Sequence, residues 1–119
     1  MTPFGVRVRA LRAAKGIQLK RMAADLNVSA AYLSALEHGR RGRPAPGLVM
    51  QIAGYLGCIW DEVEEMKALA ALSHPRVVID TAGIGAERTE LANRLAARIR
   101  DLPDTAIGRL LAILREVEP

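Results

Sequence analysis

The segment from Gly16 to Pro44, GIQLKRMAADLNVSAAYLSALEHGRRGRP, constrains the fold of this chain more than any other stretch. Its apolar residues recur at helical spacing, first from Leu19 to Leu26 and then from Ala30 to His38. Asn27 lies between these two stretches, where a residue that tolerates positive φ favours a sharp turn. Ser29 can cap the free N–H groups of the second helix. The segment therefore predicts two short helices that share one core.

Positive charge is concentrated in the same part of the chain. Residues 1–44 contain nine Lys or Arg and two acidic residues, a net charge of +7, whereas residues 45–119 contain eight basic and eleven acidic residues, a net charge of −3. Such segregation is typical of a surface that meets phosphate. The alternative is a basic surface that is merely solvated.

The pattern resembles the helix-turn-helix of the Cro/repressor (XRE) family of DNA-binding regulators, over residues 3–72. The matching features are a glycine before the second helix (Gly16), a small residue within it (Ala23), Asn27 at the turn followed by an aliphatic residue and a serine, and the closing sequence Leu-Glu-x-Gly at 36–39. This resemblance implies an all-α, five-helix, lambda-repressor-like domain over residues 1–72. It also implies binding to double-stranded DNA. The residues themselves predict no cofactor, no metal site and no enzymatic activity.

The resemblance assigns roles to residues of the predicted domain. It implies that Arg12 pairs with Glu37 and that the third helix reads DNA. This family commonly has Ser or Thr and then Gln before the second helix, whereas Gln18 and Leu19 stand here, so one phosphate anchor is missing or has moved. The three arginines of GRRGRP can follow a DNA backbone or enter a narrow minor groove. The predicted DNA-binding residues are Gln18, Lys20, Arg21, Ser29, Ala30, Ala31, Tyr32, Ser34, Ala35, Arg40, Arg41 and Arg43.

The outward positions of the third helix carry few hydrogen-bonding groups. Alanine can touch a thymine methyl, and Ser34 or Tyr32 can reach a base edge or a phosphate, but no Arg, Asn or Gln is available for a bidentate base contact. We therefore expect modest direct readout and a contribution from DNA shape. Two alternatives stay open: Tyr32 packs at a helix edge, and Arg7 and Lys15 on the first helix are either phosphate contacts or solvated charges.

Residues 73–119 lie outside the resemblance and predict a dimerisation extension. The β-branched run 76–80 predicts a short strand, and apolar stripes predict helices over 87–100 and 104–117. A lone strand needs a partner, which the same strand of a second copy would supply across a two-fold axis. The residues expected to form this homodimer are Val77, Val78, Ile79, Leu91, Leu95, Ile99, Ile107, Leu110, Leu111 and Leu114.

Other classes of function find little support in the sequence. Cys58 is the single cysteine, which excludes an intrachain disulfide and suits a reducing, cytoplasmic and nucleoid-associated location. No leader peptide, membrane span or membrane partner is expected. VVIDTAG superficially matches a GTPase element, but no GxxxxGK[ST] loop accompanies it. The two histidines have no zinc-ligand spacing with Cys58, and no serine has a catalytic partner in the sequence. No catalytic or metal-binding residue is therefore predicted.

Next to Cys58, the apolar residues Ile59 and Trp60 are expected to pack on the core.

These observations favour a sequence-specific, homodimeric transcription regulator that binds an inverted-repeat promoter site. A repressor is favoured over an activator. The principal alternative is an antitoxin-like or adaptor protein whose C-terminal helices bind another protein. A non-specific nucleoid protein is a third reading, because the reading helix is rich in alanine.

Overall fold

The protein, described here over all residues from Met1 to Pro119 by a computed structural model, consists of α-helices connected by turns and irregular segments. The helices are α1 (Pro3–Ala14), α2 (Leu19–Asp25), α3 (Ala30–Glu37), α4 (Pro46–Tyr55), α5 (Asp61–Ala71), α6 (Ala86–Arg98) and α7 (Asp104–Val117). They fall into two compact units, a first unit from Met1 to Val77 and a second unit from Val78 to Pro119.

The first unit is built around one apolar core. Each of α1 to α5 contributes side chains to it at helical spacing, so the amphipathic pattern of the sequence accounts for the packing. α2 packs on α3, α4 packs on α5, and α1 packs on both α3 and α5. The largest fully buried side chains are Phe4, Val8, Met22, Leu33, Leu36, Ile52, Leu56 and Met66.

Ser73 extends the first unit beyond the end of α5. Its hydroxyl accepts a hydrogen bond from the Phe4 N–H at 2.9 Å and donates one to the Leu69 carbonyl at 2.6 Å. The serine is buried and its polar groups are paired, as burial requires. These bonds tie the segment after α5 to the start of α1.

The predicted β-strand at residues 76–80 is wrong. The segment has no strand or bridge, and the side chains of Val77, Val78 and Ile79 are 70%, 91% and 57% exposed. β-Branched composition favours a strand only where a neighbouring strand supplies ladder hydrogen bonds, and this all-helical chain offers none. Without a strand at residues 76–80, the expected strand pairing between two copies of the chain is wrong as well.

The expected packing of Ile59 and Trp60 on the core is also wrong. Ile59 is 62% exposed and Trp60 is 85% exposed, whereas the preceding Cys58 is buried. Cys58 fills the inward position of the short connection between α4 and α5, which turns its two successors outward. Trp60 occupies the N-cap position of α5 without a side-chain cap hydrogen bond, and its φ of +47° is strained for a bulky residue.

The second unit contains α6, α7 and the segment before them, and none of its residues is buried. Both helices are amphipathic, but their apolar sides are covered only in part. Leu91, Ile99, Leu111 and Leu114 are exposed, while Leu95, Ile107 and Leu110 are half-buried. Helices whose apolar sides are so poorly covered gain little free energy from burial, so the stability of this pair is marginal without further packing. No helix of the protein is both long and apolar enough to span a membrane.

Candidate nucleic-acid interface

The turn between α2 and α3 is fixed by backbone geometry and a cap. Asn27 adopts a φ of +60°, and the Val28 N–H donates to the Ala23 carbonyl at 3.0 Å, which closes the end of α2. The Ser29 hydroxyl then accepts a hydrogen bond from the Tyr32 N–H at 3.0 Å and caps α3. The direction in which α3 leaves the turn is therefore set by local hydrogen bonds.

Arg12 connects α1, the loop before α2 and the end of α3. Its Nε and Nη2 donate to the two carboxylate oxygens of Glu37, each at 3.2 Å, and its Nη1 donates to the Ile17 carbonyl at 3.2 Å. The side chains of Arg12 and Glu37 are only 11% and 4% exposed. Removing one partner of such a pair leaves a buried charge and costs about 3–5 kcal/mol. The pair thus fixes α3 against α1.

The first turn of α1 also lies directly on the end of α3. The Thr2 N–H donates to the Glu37 carbonyl at 3.1 Å, and the Thr2 hydroxyl caps α1 by accepting from the Gly5 N–H at 3.0 Å. A Cβ added at Gly5 would lie 2.0 Å from the Glu37 carbonyl oxygen, so this approach requires glycine. This contact could not be predicted from the sequence, because a glycine inside a helical pattern gives no information about its neighbour.

A second polar contact holds α2 to α4. The Tyr55 hydroxyl donates to the Asp25 carboxylate at 2.6 Å, and Arg21 Nε donates to the same oxygen at 3.2 Å. The hydrogen bond from Tyr55 lowers the pKa of Asp25, with partial desolvation opposing it and Arg21 adding to it. The same bond raises the pKa of Tyr55. Sequence reasoning missed Tyr55, since no spacing links residues on different helices.

The side of α3 opposite the core faces solvent. Leu33 and Leu36 are fully buried and hold the helix on the core. The residues predicted to read DNA lie elsewhere on the helix: Ser29, Ala30 and Ala31 are exposed, and Tyr32, Ser34 and Ala35 are half-buried. The start of α3 therefore exposes two alanines, with Ser29 and the half-buried Tyr32 as its polar side chains.

The basic loop, defined as Gly39–Arg43, returns toward this surface. Gly39 and Gly42 have φ values of +76° and +82°, so the loop turns at both glycines. Arg40, Arg41 and Arg43 are exposed. The Arg41 guanidinium lies 5.9 Å from the centroid of the Tyr32 ring, at the distance of a cation–π contact. This contact brings the basic loop beside the first turn of α3.

The remaining predicted DNA contacts lie at the start of α2. Gln18, Lys20 and Arg21 are all exposed, and Gln18 makes no side-chain cap bond. Arg21 is already engaged with Asp25 in an exposed ion pair, which contributes little free energy in water. Arg7, by contrast, lies 3.5 Å from Glu65 of α5, which gives this arginine a partner within the domain.

A comparison with protein families finds a helix-turn-helix domain over residues 3–66, more than half of the chain. Two Bacillus subtilis (strain 168) proteins are similar to part of it. The uncharacterized HTH-type transcriptional regulator RghRB is 36% identical over 56 residues, which are 47% of this chain and 40% of the relative. The HTH-type transcriptional repressor RghR is 38% identical over 53 residues, which are 44% of this chain and 39% of the relative.

The chain thus spans about two fifths of the length of the relatives it matches. No solved structure matches it. The matched residues contain α1 to α4, the turn and most of α5, so the likeness covers the part of the first unit that carries the candidate interface. This confirms the resemblance inferred from the sequence. The chain therefore belongs to the family of proteins that share this helix-turn-helix domain.

Proposed function

We propose that this protein is a sequence-specific repressor that binds an inverted-repeat promoter site as a homodimer. The observation that carries the proposal is that the exposed start of α3 lies beside the basic loop, with the Arg41 guanidinium at cation–π distance from the Tyr32 ring. A helix end presented in this way can enter a major groove, while neighbouring arginines follow the phosphates. The repressor direction is supported by the relative whose name describes a transcriptional repressor.

Electrostatics support DNA as the ligand of this surface. The first 44 residues carry a net charge of +7, and the three arginines of the basic loop are exposed. Lys20 and Arg21 at the start of α2 add two more exposed cations. Counterion release from phosphates would then supply much of the affinity, and the few polar groups on α3 would supply direct readout. We expect the protein to be found on the nucleoid.

The second unit supports dimerisation by helices. Its apolar side chains on α6 and α7 are exposed or half-buried, and a second copy of the same helices would cover them. A symmetric interface of this kind uses the same residues on both copies. With one helix-turn-helix per copy, the two half-sites would lie about 34 Å apart along the DNA.

In vitro selection from random duplex DNA tests the function. Full-length protein should enrich one inverted-repeat motif, and a duplex with that motif should bind at least about 1,000-fold more tightly than a shuffled duplex. A scrambled duplex of equal length and composition is the control. Affinity that is equal for both duplexes and falls steeply with salt would instead indicate a non-specific nucleoid protein.

An antitoxin-like or adaptor protein is the second candidate function. A groove of about 550 Å³ between α6 and α7, lined by Leu91, Leu95, Leu102 and Leu110 among others, favours it, because such a groove can receive an apolar helix from another protein. Here the helix-turn-helix would serve autoregulation, and the second unit would hold the partner.

Sedimentation of the pure protein separates the two candidates. A stable dimer that becomes a monomer in Leu111→Asp/Leu114→Asp supports the homodimer. Arg109→Asp, on the opposite side of α7, is the control and should leave the dimer intact. A wild-type monomer at tens of micromolar, with a toxin-sized protein in stoichiometric co-purification, would favour the adaptor.

A further inference from the structure

His38 is the C-cap residue of α3, and one of its imidazole nitrogens already takes part in a hydrogen bond. Its Nδ1 lies 2.8 Å from the Ser34 carbonyl oxygen. A carbonyl only accepts hydrogen bonds, so Nδ1 carries the hydrogen. In the neutral ring Nε2 is then a bare acceptor, and only the protonated ring offers a donor and a positive charge at Nε2.

His38 shares the outward side of α3 with the residues proposed to meet DNA. It follows Ala31 by seven positions and Ser34 by four, which is the spacing of one helix face. The side chain is exposed. The face of α3 that carries Ala31 and Ser34 therefore ends in an imidazole.

A shallow groove of about 450 Å³ lies beside the imidazole. Its walls come from the second half of α1, the start of α2 and the end of α3. The lining residues are Arg9, Arg12, Ala13, Gln18, Leu19, Ser34, Glu37 and His38. The groove thus joins a predicted DNA contact, Gln18, to Arg9 of α1 and to His38 at the end of α3.

The charges that face the groove leave it positive. Arg12 and Glu37 neutralise each other through their two hydrogen bonds. Arg9 is exposed, and its one contact is a weak one to the Met1 sulfur at 3.6 Å. When His38 is neutral, Arg9 is therefore the one cation of the groove without an acidic partner. When His38 is protonated, the groove has two such cations.

We propose that this groove binds a phosphate of the DNA backbone and that protonation of His38 strengthens the contact. Arg9 and Gln18 would hold the phosphate at any pH, and the protonated Nε2 would add a charge-assisted hydrogen bond. DNA binding then takes up a proton, so affinity should be higher at pH 6.0 than at pH 8.0. The inference rests on the proposed function, since it needs DNA on this face.

The test is the affinity of the full-length protein for its selected duplex at pH 6.0 and at pH 8.0, at constant ionic strength. We expect about 3- to 10-fold tighter binding at pH 6.0 for the wild type, with a salt dependence steeper by up to about one unit in log–log slope. The variant His38→Gln should bind with the same affinity at both values. His74→Gln removes the only other histidine and should keep the wild-type ratio.

Each outcome has one meaning. A wild-type affinity that does not change with pH, or a His38→Gln variant that keeps the pH ratio, overturns the inference while leaving the proposed function standing. Loss of the ratio in His74→Gln also overturns it. If no duplex is preferred at either pH, the proposed function fails and this inference fails with it. Equal thermal melting of the two variants and the wild type shows that folding is not the cause.

Discussion

Individual side chains fix the positions of the helices that frame the candidate interface. Arg12 joins α1 to α3, and Tyr55 joins α4 to the end of α2 through Asp25. The first of these contacts is nearly buried, so it contributes both free energy and geometry. The second lies near solvent, where its main effect is on geometry and on the two pKa values.

The Tyr55 contact makes a prediction about pH. In Tyr55→Phe the pKa of Asp25 should rise, because the hydroxyl that stabilises the carboxylate is lost. A lowered pKa contributes stability that is present above the ordinary pKa of Asp and is lost as the pH falls through the lowered value. The variant should therefore lose stability at neutral pH and show a weaker acid dependence below the ordinary pKa. Carbon-detected NMR titration of the Asp25 carboxyl measures the shift.

Tyr32→Phe is the matched control, since it removes a tyrosine hydroxyl that does not contact Asp25. Its Asp25 titration should superimpose on that of the wild type. An unchanged Asp25 titration in Tyr55→Phe would show that the hydroxyl does not bond to the carboxylate in solution.

At the scale of elements, the position of α3 depends on how closely α1 approaches it. Gly5 lets the first turn of α1 lie on the Glu37 carbonyl, and the Arg12 pair holds the other half of α1 against the same end of α3. Two contacts at different points along α1 define an orientation. The angle at which the start of α3 is exposed is therefore a property of packing within the first unit.

Gly5→Ala tests this packing. The new Cβ would lie 2.0 Å from backbone, so the helices must separate, and we expect a loss of about 3 kcal/mol or more in the free energy of unfolding. Gly54→Ala is the control, because Gly54 lies within α4 with nothing within 4 Å of an added Cβ. It should gain about 0.5–1 kcal/mol from helix propensity. Urea unfolding measures both values, and equal stabilities would contradict the close approach.

At the scale of the whole molecule, the two units differ in how well the sequence predicts them. The helices of the first unit could be predicted because caps, glycines and apolar spacing agree, as at Ser29 and Gly39. Contacts between helices, such as Tyr55 with Asp25, have no signature along the chain. The strand at 76–80 was predicted wrongly because β-propensity reflects packing against neighbours, which a single sequence does not contain.

The candidate interface could be predicted as a set of residues but not as a spatial arrangement. The sequence indicated arginines behind α3, yet the contact of Arg41 with Tyr32 depends on how the basic loop turns at its two glycines. His38 could have been found from its spacing on α3, because it continues the face of Ala31 and Ser34. Arg9 lies on another helix, so its position beside His38 could be recognised only from the folded structure.

The proposed contact of the basic loop and the start of α3 with DNA is tested by the salt dependence of affinity for the selected duplex. Arg40→Ala/Arg41→Ala should bind about 10- to 100-fold more weakly, and the slope of log affinity against log salt should fall by about two. Arg88→Ala/Arg100→Ala removes the same charge from the second unit and should keep the wild-type slope. If both double variants bind with the same affinity and slope, the basic loop does not contact DNA and the proposed interface is wrong.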